Sequence, residues 1–235
     1  MGTGIRFVRH ITTQARSAIE KADRVLHLVD HATGEWIAKL NPSSESLRSL
    51  FQEGKDRART DSEIVDRILS CVREEQAVCA AFYGHPGFFW YPSHEAIRRA
   101  RAEGFAAEML PGISAQDCLF ADLGLDPGRS GCQSFDAEDF VTRKRIFDTS
   151  TPLILFQADL VDSARVRDVL REQYEEGHQV ILYEAAISPE GDPRVEIPPL
   201  KSLNHCKEYS TILVLPARAP DQDLEMYERL GLKPR

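Results

Sequence analysis

The 235-residue chain has no apolar run approaching the roughly 18 to 20 residues that a membrane-spanning helix needs. Its opening, Met1-Gly2-Thr3-Gly4-Ile5-Arg6, lacks the long apolar stretch of a signal peptide. Polar low-complexity tracts and internal repeats are absent too, so neither disorder nor a solenoid describes the main state. The cysteines are Cys71, Cys79, Cys118, Cys132 and Cys206, an odd number with no C-x-x-C pair. That pattern argues against a disulfide framework and a zinc site, and cytoplasm is the expected compartment. With 29 Lys plus Arg against 37 Asp plus Glu, the net charge of −8 also argues against nucleic acid, whose phosphates call for clustered cations. What is present is an ordinary globular composition, 42% apolar and 28% charged, long enough to bury one large core or two small ones.

The apolar pattern alternates strands and helices. Residues 13–22 read as a helix and 24–29 as a strand. Ile64, Val65, Ile68, Leu69 and Val72 place an amphipathic stripe along 61–74, with Asp61 or Ser62 available as N-cap. Residues 77–83 form a continuous apolar run that stops at Gly84-His85-Pro86-Gly87, as suits a strand buried on both faces of a parallel sheet. A helix over 93–103, a strand over 106–110 and a helix over 115–123 capped by Ser114 follow. After about Asp126 the order changes. Strands are expected at 131–135, 152–157, 179–183 and 211–215, with helices at 163–175 and 222–230. The reading is α/β with two lobes, a mainly parallel lobe over 1–125 and a mixed-sheet lobe over 126–235, joined at the Gly- and Pro-containing stretch 124–130.

In open α/β sheets, ligands bind beyond the carboxyl ends of strands. Gly2-Thr3-Gly4, Tyr83-Gly84-His85-Pro86-Gly87 and Pro111-Gly112-Ile113-Ser114-Ala115 all fall there. Glycines at such points let a ligand approach the backbone, but equally they are the tight turns of any α/β protein. The third glycine of a dinucleotide fingerprint is missing, and no Walker lysine follows.

Taken together, these segments, with Leu119-Phe120-Ala121-Asp122-Leu123 after the last of them, resemble the tetrapyrrole methylase superfamily. Within it, residues 82–89, 96–122, 131–140 and 153–157, then Tyr183-Glu184-Ala185-Ala186 and Ser210-Thr211, are most similar to the borosin peptide α-N-methyltransferases. The resemblance implies a two-lobed S-adenosylmethionine-dependent enzyme with the cofactor between the lobes and no metal. It implies that Tyr83, His85 and Phe88 line the cofactor from one loop and Ala115 from another. Gln157, Ala185, Ser210 and Thr211 would do so from strand ends of the second lobe. Gln157 and the Ser-Thr pair suit an adenine edge or ribose, and the rings of Tyr83 and Phe88 suit a sulfonium. Phe88, Ala115 and Ala185 also suit plain packing, and His85 a turn cap.

The acceptor side departs from the pattern. Borosin enzymes resemble one another in a Tyr, Arg, Tyr segment ahead of the helix before the Tyr-Gly-His-Pro-Gly strand. Here Arg57 matches the Arg, while Phe51 and Asp61 stand where the tyrosines would be. Arg57, Asp61 and Tyr83 are the candidate catalytic residues, Asp61 acting as base only where burial raises its pKa. The alternatives are an easier acceptor, reduced or lost methyl transfer, and Asp61 as a mere helix cap. The resemblance also implies a homodimer, with the aromatic patch at Phe88-Phe89-Trp90-Tyr91 suited to an acceptor surface, a dimer surface or the core. Fused borosin proteins carry their substrate as a C-terminal extension. This chain ends soon after Leu232, so a separate precursor peptide is expected. A small-molecule or tetrapyrrole methylase and a non-catalytic cofactor- and peptide-binding protein are the rivals. The family's first strand precedes Gly-x-Gly, where only Met1 stands here. Either the start lies upstream or that strand is shortened.

Overall fold

The computed structural model describes residues 1–207 and 209–233. The chain falls into two compact units, 1–124 with 185–192, and 125–184 with 193–235.

The first unit holds a parallel three-stranded sheet, order β2-β1-β3, of β1 (Arg24–Leu28), β2 (Ser44–Ser46) and β3 (Val78–Phe82). Around it lie α1 (Thr13–Lys21), α2 (His31–Leu40), α3 (Arg57–Arg73), α4 (Tyr91–Ala102) and α5 (Ala115–Leu123). Alternation along the strands splits the core in two. Leu26, Leu28 and Phe82 meet Ile64, Ile68 and Leu69 of α3 and Ala96 and Ala100 of α4, whereas Val25, Cys79 and Ala81 meet Ala15, Ile19 and Ile37 of α1 and α2. Cys79 is a packing residue there, and burial pushes its thiol above the ordinary range.

Several expectations change. Helix α3 begins at Arg57, with Asp56 in the cap position, so neither Asp61 nor Ser62 is the N-cap. The i,i+4 ion pairs Arg57–Asp61 and Arg59–Glu63 stabilise a first turn whose polar composition reads as a loop. Residues 106–110 form no strand. Helix α2 and strand β2 are unforeseen, because Gly34 interrupts the helical pattern and Ser44-Glu45-Ser46 carries no apolar signal. Residues 185–192 pack with the first unit through long-range contacts that no local pattern reports. Phe7 N–H donates to Ile187 O at 3.0 Å, and Arg9 pairs with Glu190.

The second unit holds α6 (Pro127–Ser130), α7 (Ala137–Thr142), α8 (Ser163–Leu170), α9 (Leu224–Arg229) and a mixed sheet of β4 (Gln133–Asp136), β5 (Leu153–Phe156), β6 (Val180–Glu184), β7 (Arg194–Glu196) and β8 (Thr211–Val214). The order is β4-β5-β8-β6-β7, with β4 and β5 parallel and the other pairs antiparallel. Leu153, Leu155, Ile212 and Val214 pack on Phe140 and Val166. Helix α8 stops at Leu170, short of the expected 175, and β7 is unforeseen. Among the described residues, no helix is long and apolar enough to cross a membrane.

Glu45 of β2 carries an acid-sensitive contact. Arg67 donates to it at 3.0 and 2.6 Å and Arg24 pairs with the same carboxylate, and together they lower its pKa to about 2. A carboxylate whose folded pKa is depressed contributes stability above its unfolded pKa and loses it as pH falls through the folded one. Glu45→Gln is therefore expected to flatten the decline of the unfolding midpoint between about pH 4.5 and 2, measured by thermal melts across that range.

Candidate functional site

The glycine segments of the first unit converge at the carboxyl end of β3. A Cβ on Gly112 would lie 2.5 Å from Gly84 O and 2.9 Å from Gly2 Cα, and one on Gly2 would lie 2.9 Å from Gly112 Cα. Only hydrogen side chains let three backbones approach so closely. Gly4 N–H donates to Gly84 O and Gly84 N–H returns the bond to Gly4 O, at 3.1 and 3.0 Å. The loop after β3 is thereby fixed, and with it Tyr83, His85 and Phe88.

Further contacts hold that loop. Trp90 Nε1 donates to Tyr83 O at 2.9 Å, and the buried Ser93 hydroxyl bonds Pro86 O. His85 Nδ1 accepts from Gly87 N–H at 2.9 Å, so this imidazole does cap its turn, leaving Nε2 as its second polar atom. Phe88 packs edge-on against Phe89, which has a left-handed φ of 58°. The Phe88–Tyr91 patch is divided, because Trp90 packs on Phe82 of the core while Tyr91 is exposed. Trp90 and Ser93 are supports that sequence reasoning missed; their signal is a polar atom in an apolar neighbourhood seven residues past Tyr83 and Pro86. Ala115 is the first residue of α5, whose capping box joins Ser114 and Asp117.

Asp61 lies inside α3 and is buried, and Arg57 Nε donates to its Oδ1 at 3.2 Å. Burial raises the Asp61 pKa and outweighs the opposing pull of Arg57. The Arg57 guanidinium lies 5.9 Å from the centre of the Phe51 ring, a cation–π distance. Lys55, unnoticed in the sequence, bonds Leu50 O and Glu63 just ahead of the helix. The pair is thus a half-exposed cation beside a protected carboxylate.

In the second unit Gln157, Ser210 and Thr211 meet at one end of the sheet. The β5–β8 register carries Gln157 next to Ser210, and Ala158 N–H donates to Ser210 O at 3.3 Å. Ser210 and Thr211 are buried. Gln157 has φ 56° and Tyr209, beside Ser210, has φ 63°, conformations that cost a non-glycine residue about 1–3 kcal/mol. Ala185 follows β6 directly and belongs to the first unit.

A strained Gln157 beside buried hydroxyls offers amide and hydroxyl groups suited to a purine edge or ribose. The glycine-held Tyr83 loop offers aromatic faces suited to a sulfonium. The residues present fit S-adenosylmethionine.

The chain belongs to the tetrapyrrole (corrin/porphyrin) methylases, whose family profile matches residues 1–203. It is 37% identical over 247 aligned positions to the methyltransferase/ribosomally synthesized type I borosin cyclic peptide precursor of Coprinopsis marcescibilis, covering 96% of this chain and 63% of that protein. It is 40% identical over 207 positions to the methyltransferase/ribosomally synthesized cyclic peptide dendrothelin A precursor of Dendrothele bispora, covering 82% of this chain and 50% of that one. The chain therefore spans less than two-thirds of the length of either relative. Its fold is that of uroporphyrin-III C-methyltransferase from Thermus thermophilus, solved in complex with S-adenosylhomocysteine. There the TM-score is 0.62 at 18% identity, over 92% of this chain and 95% of that one.

Proposed function

We propose that the protein is an S-adenosylmethionine-dependent methyltransferase acting on backbone amide nitrogens of a ribosomal peptide. The observation that carries this reading is the 37% identity, over 96% of this chain, to a methyltransferase/borosin cyclic peptide precursor. The family match supports the methyltransferase class, and the residues at the two strand ends supply donors and faces of the required kind. Bound S-adenosylmethionine would supply an electrophilic methyl group.

The protein's part is to hold and prepare the acceptor. An amide nitrogen attacks only as its proton leaves, so a base must sit beside it. Asp61 takes that proton, and its raised pKa makes it a stronger base than an exposed carboxylate. Arg57 steadies the negative charge that deprotonation places on the amide oxygen. Tyr83 and Phe88 would offer aromatic faces to the sulfonium, His85 fixes their loop, and Ala115 as a small first residue of α5 would leave room beside it. Gln157, Ser210 and Thr211 would hold the nucleoside through amide and hydroxyl groups, and Ala185 would add apolar lining.

Calorimetry is expected to show one S-adenosylmethionine site per chain, with affinity in the micromolar range usual for small-molecule sites. No heat at millimolar cofactor would contradict the reading. Both relatives are methyltransferase/peptide precursor proteins. The separate-peptide reading is tested by mixing the protein with free candidate peptides, which must become methylated. Light scattering tests the proposed homodimer.

A further inference from the structure

The loop between Gly4 and α1 closes on one imidazole. Ile5 N–H and Arg6 N–H both donate to His10 Nδ1, at 3.3 and 3.2 Å. Arg9 N–H donates to Phe7 O, His10 N–H to Arg6 O and Ile11 N–H to Val8 O, so the segment is a run of tight turns. Val8 has φ 60°, an outlier for a β-branched residue, and the contacts around it must carry that cost. A Cβ on Gly4 would overlap His10 Cβ, so the histidine packs directly on the glycine that exchanges two hydrogen bonds with Gly84. The buried Ile5 touches the other partner, its Cδ1 lying 3.3 Å from where a Cβ of Gly84 would stand.

This contact fixes where the imidazole proton sits. Two N–H donors converge on Nδ1, so Nδ1 carries a lone pair and the proton is on Nε2. An imidazolium has an N–H on both nitrogens and would set a third donor against Ile5 and Arg6. Its charged neighbours are Arg6 on the same loop and Asp122 of α5, which lie 4.0 Å apart. Cys118 stands one turn before Asp122, and Arg9 is engaged by Glu190 of the 185–192 segment. Burial and then Arg6 disfavour the imidazolium, and Asp122 opposes them without cancelling them, so the His10 pKa lies below its ordinary 6.5. The contact is therefore intact at neutral pH, and its contribution is lost as pH falls from 6.5 through the folded value.

We propose that His10 is a positioning residue, whose Nδ1 lone pair latches the 5–10 loop and so holds Gly4 against the Tyr83 loop, and that a proton on Nδ1 releases the latch and weakens S-adenosylmethionine binding. The ligand in this statement rests on the methyltransferase reading, whereas the latch is a property of the ligand-free chain. The transmission is short. Ile5 and Arg6 directly follow Gly4, and the Gly4–Gly84 bonds join that segment to the residue after Tyr83. Cofactor affinity then scales with the fraction of chains whose loop is latched.

The test compares the parent with His10→Asn, whose Oδ1 stands where Nδ1 does and accepts without titrating, and with His10→Ala, which has no acceptor. In the ligand-free parent, hydrogen-exchange protection of the Ile5, Arg6 and Gly84 amides is expected to fall ~10-fold between about pH 7.5 and 4.5, as lost hydrogen bonds allow. Protection should stay within ~2-fold over that range in His10→Asn and be low throughout in His10→Ala. Calorimetric S-adenosylmethionine affinity should follow the same pattern, weakening ~10-fold with acid in the parent and holding in His10→Asn. His85 also accepts a backbone N–H on Nδ1, so an acid limb that persists in His10→Asn belongs elsewhere and overturns the proposal. Protection in the parent that ignores pH does the same. Should His10→Asn fail to fold, nitrogen-15 spectra of the parent decide: the Nε2–H tautomer titrating together with the loss of Ile5 protection supports the latch, and an Nδ1–H tautomer overturns it. Absence of cofactor binding at every pH contradicts the methyltransferase reading, and the exchange profile then judges the latch alone.

Discussion

Asp61→Asn is expected to lower methyl transfer ~10²- to 10⁴-fold, the range a positioned general base supplies, while leaving the protein folded. Two features separate this from a structural defect. First, Asp61 is not the helix cap, since α3 starts at Arg57, so the substitution removes no cap. Second, burial holds its pKa above the ordinary carboxylate value. A carboxylate with a raised folded pKa costs stability at pH values above its unfolded pKa. Neutral Asn removes that cost and gives up the Arg57 ion pair, which is half-exposed and worth little. Stability at neutral pH should thus hold or rise as activity falls. In the parent protein the rate should climb with pH through the Asp61 titration, and that limb should vanish in the variant. Initial rates across pH, paired with thermal melts, check both. An Asp61→Asn enzyme as active as the parent would exclude Asp61 as base.

Gly112→Ala is expected to destabilise the first unit by about 1–3 kcal/mol, as overpacking does, and to weaken cofactor binding with it. The added methyl would sit 2.5 Å from Gly84 O and 2.9 Å from Gly2 Cα. Both are backbone atoms, which no rotamer change can move aside. Relief requires separating the loops that carry Tyr83 and Ala115. Gly177→Ala is the control, since a methyl there meets no atom within 4 Å, and it should change the unfolding free energy, read from denaturant titration, by no more than about 0.5 kcal/mol. Equal midpoints for the two variants would contradict the packing argument.

What the sequence made legible was local. The apolar run of β3 ending at Gly84, the Ser114 cap and the parallel-then-mixed order of strands are written in adjacent residues. The start of α3 was hidden because its first turn is built from charged residues, whose i,i+4 pairing replaces an apolar stripe. The meeting of Gly2, Gly84 and Gly112 is a contact between segments about 80 and 30 residues apart, and spacing alone does not report it. The packing of residues 185–192 with the first unit is long-range in the same way. Residues 106–110 carry a strand's composition without a strand's pairing, because pairing depends on a neighbour and not on propensity. At the candidate site, the residue types came from motif resemblance. The burial of Asp61 and the left-handed Gln157 came from tertiary structure.

The central claim is that methyl groups reach a peptide's backbone nitrogen. The most direct measurement incubates the purified protein with S-adenosylmethionine deuterated in its methyl group and candidate precursor peptides, then maps the label by tandem mass spectrometry. The account predicts intact CD3 groups on backbone amide nitrogens, and their loss in Asp61→Asn. Cofactor binding with no labelled peptide, or label confined to side chains or to a tetrapyrrole offered in competition, would contradict it.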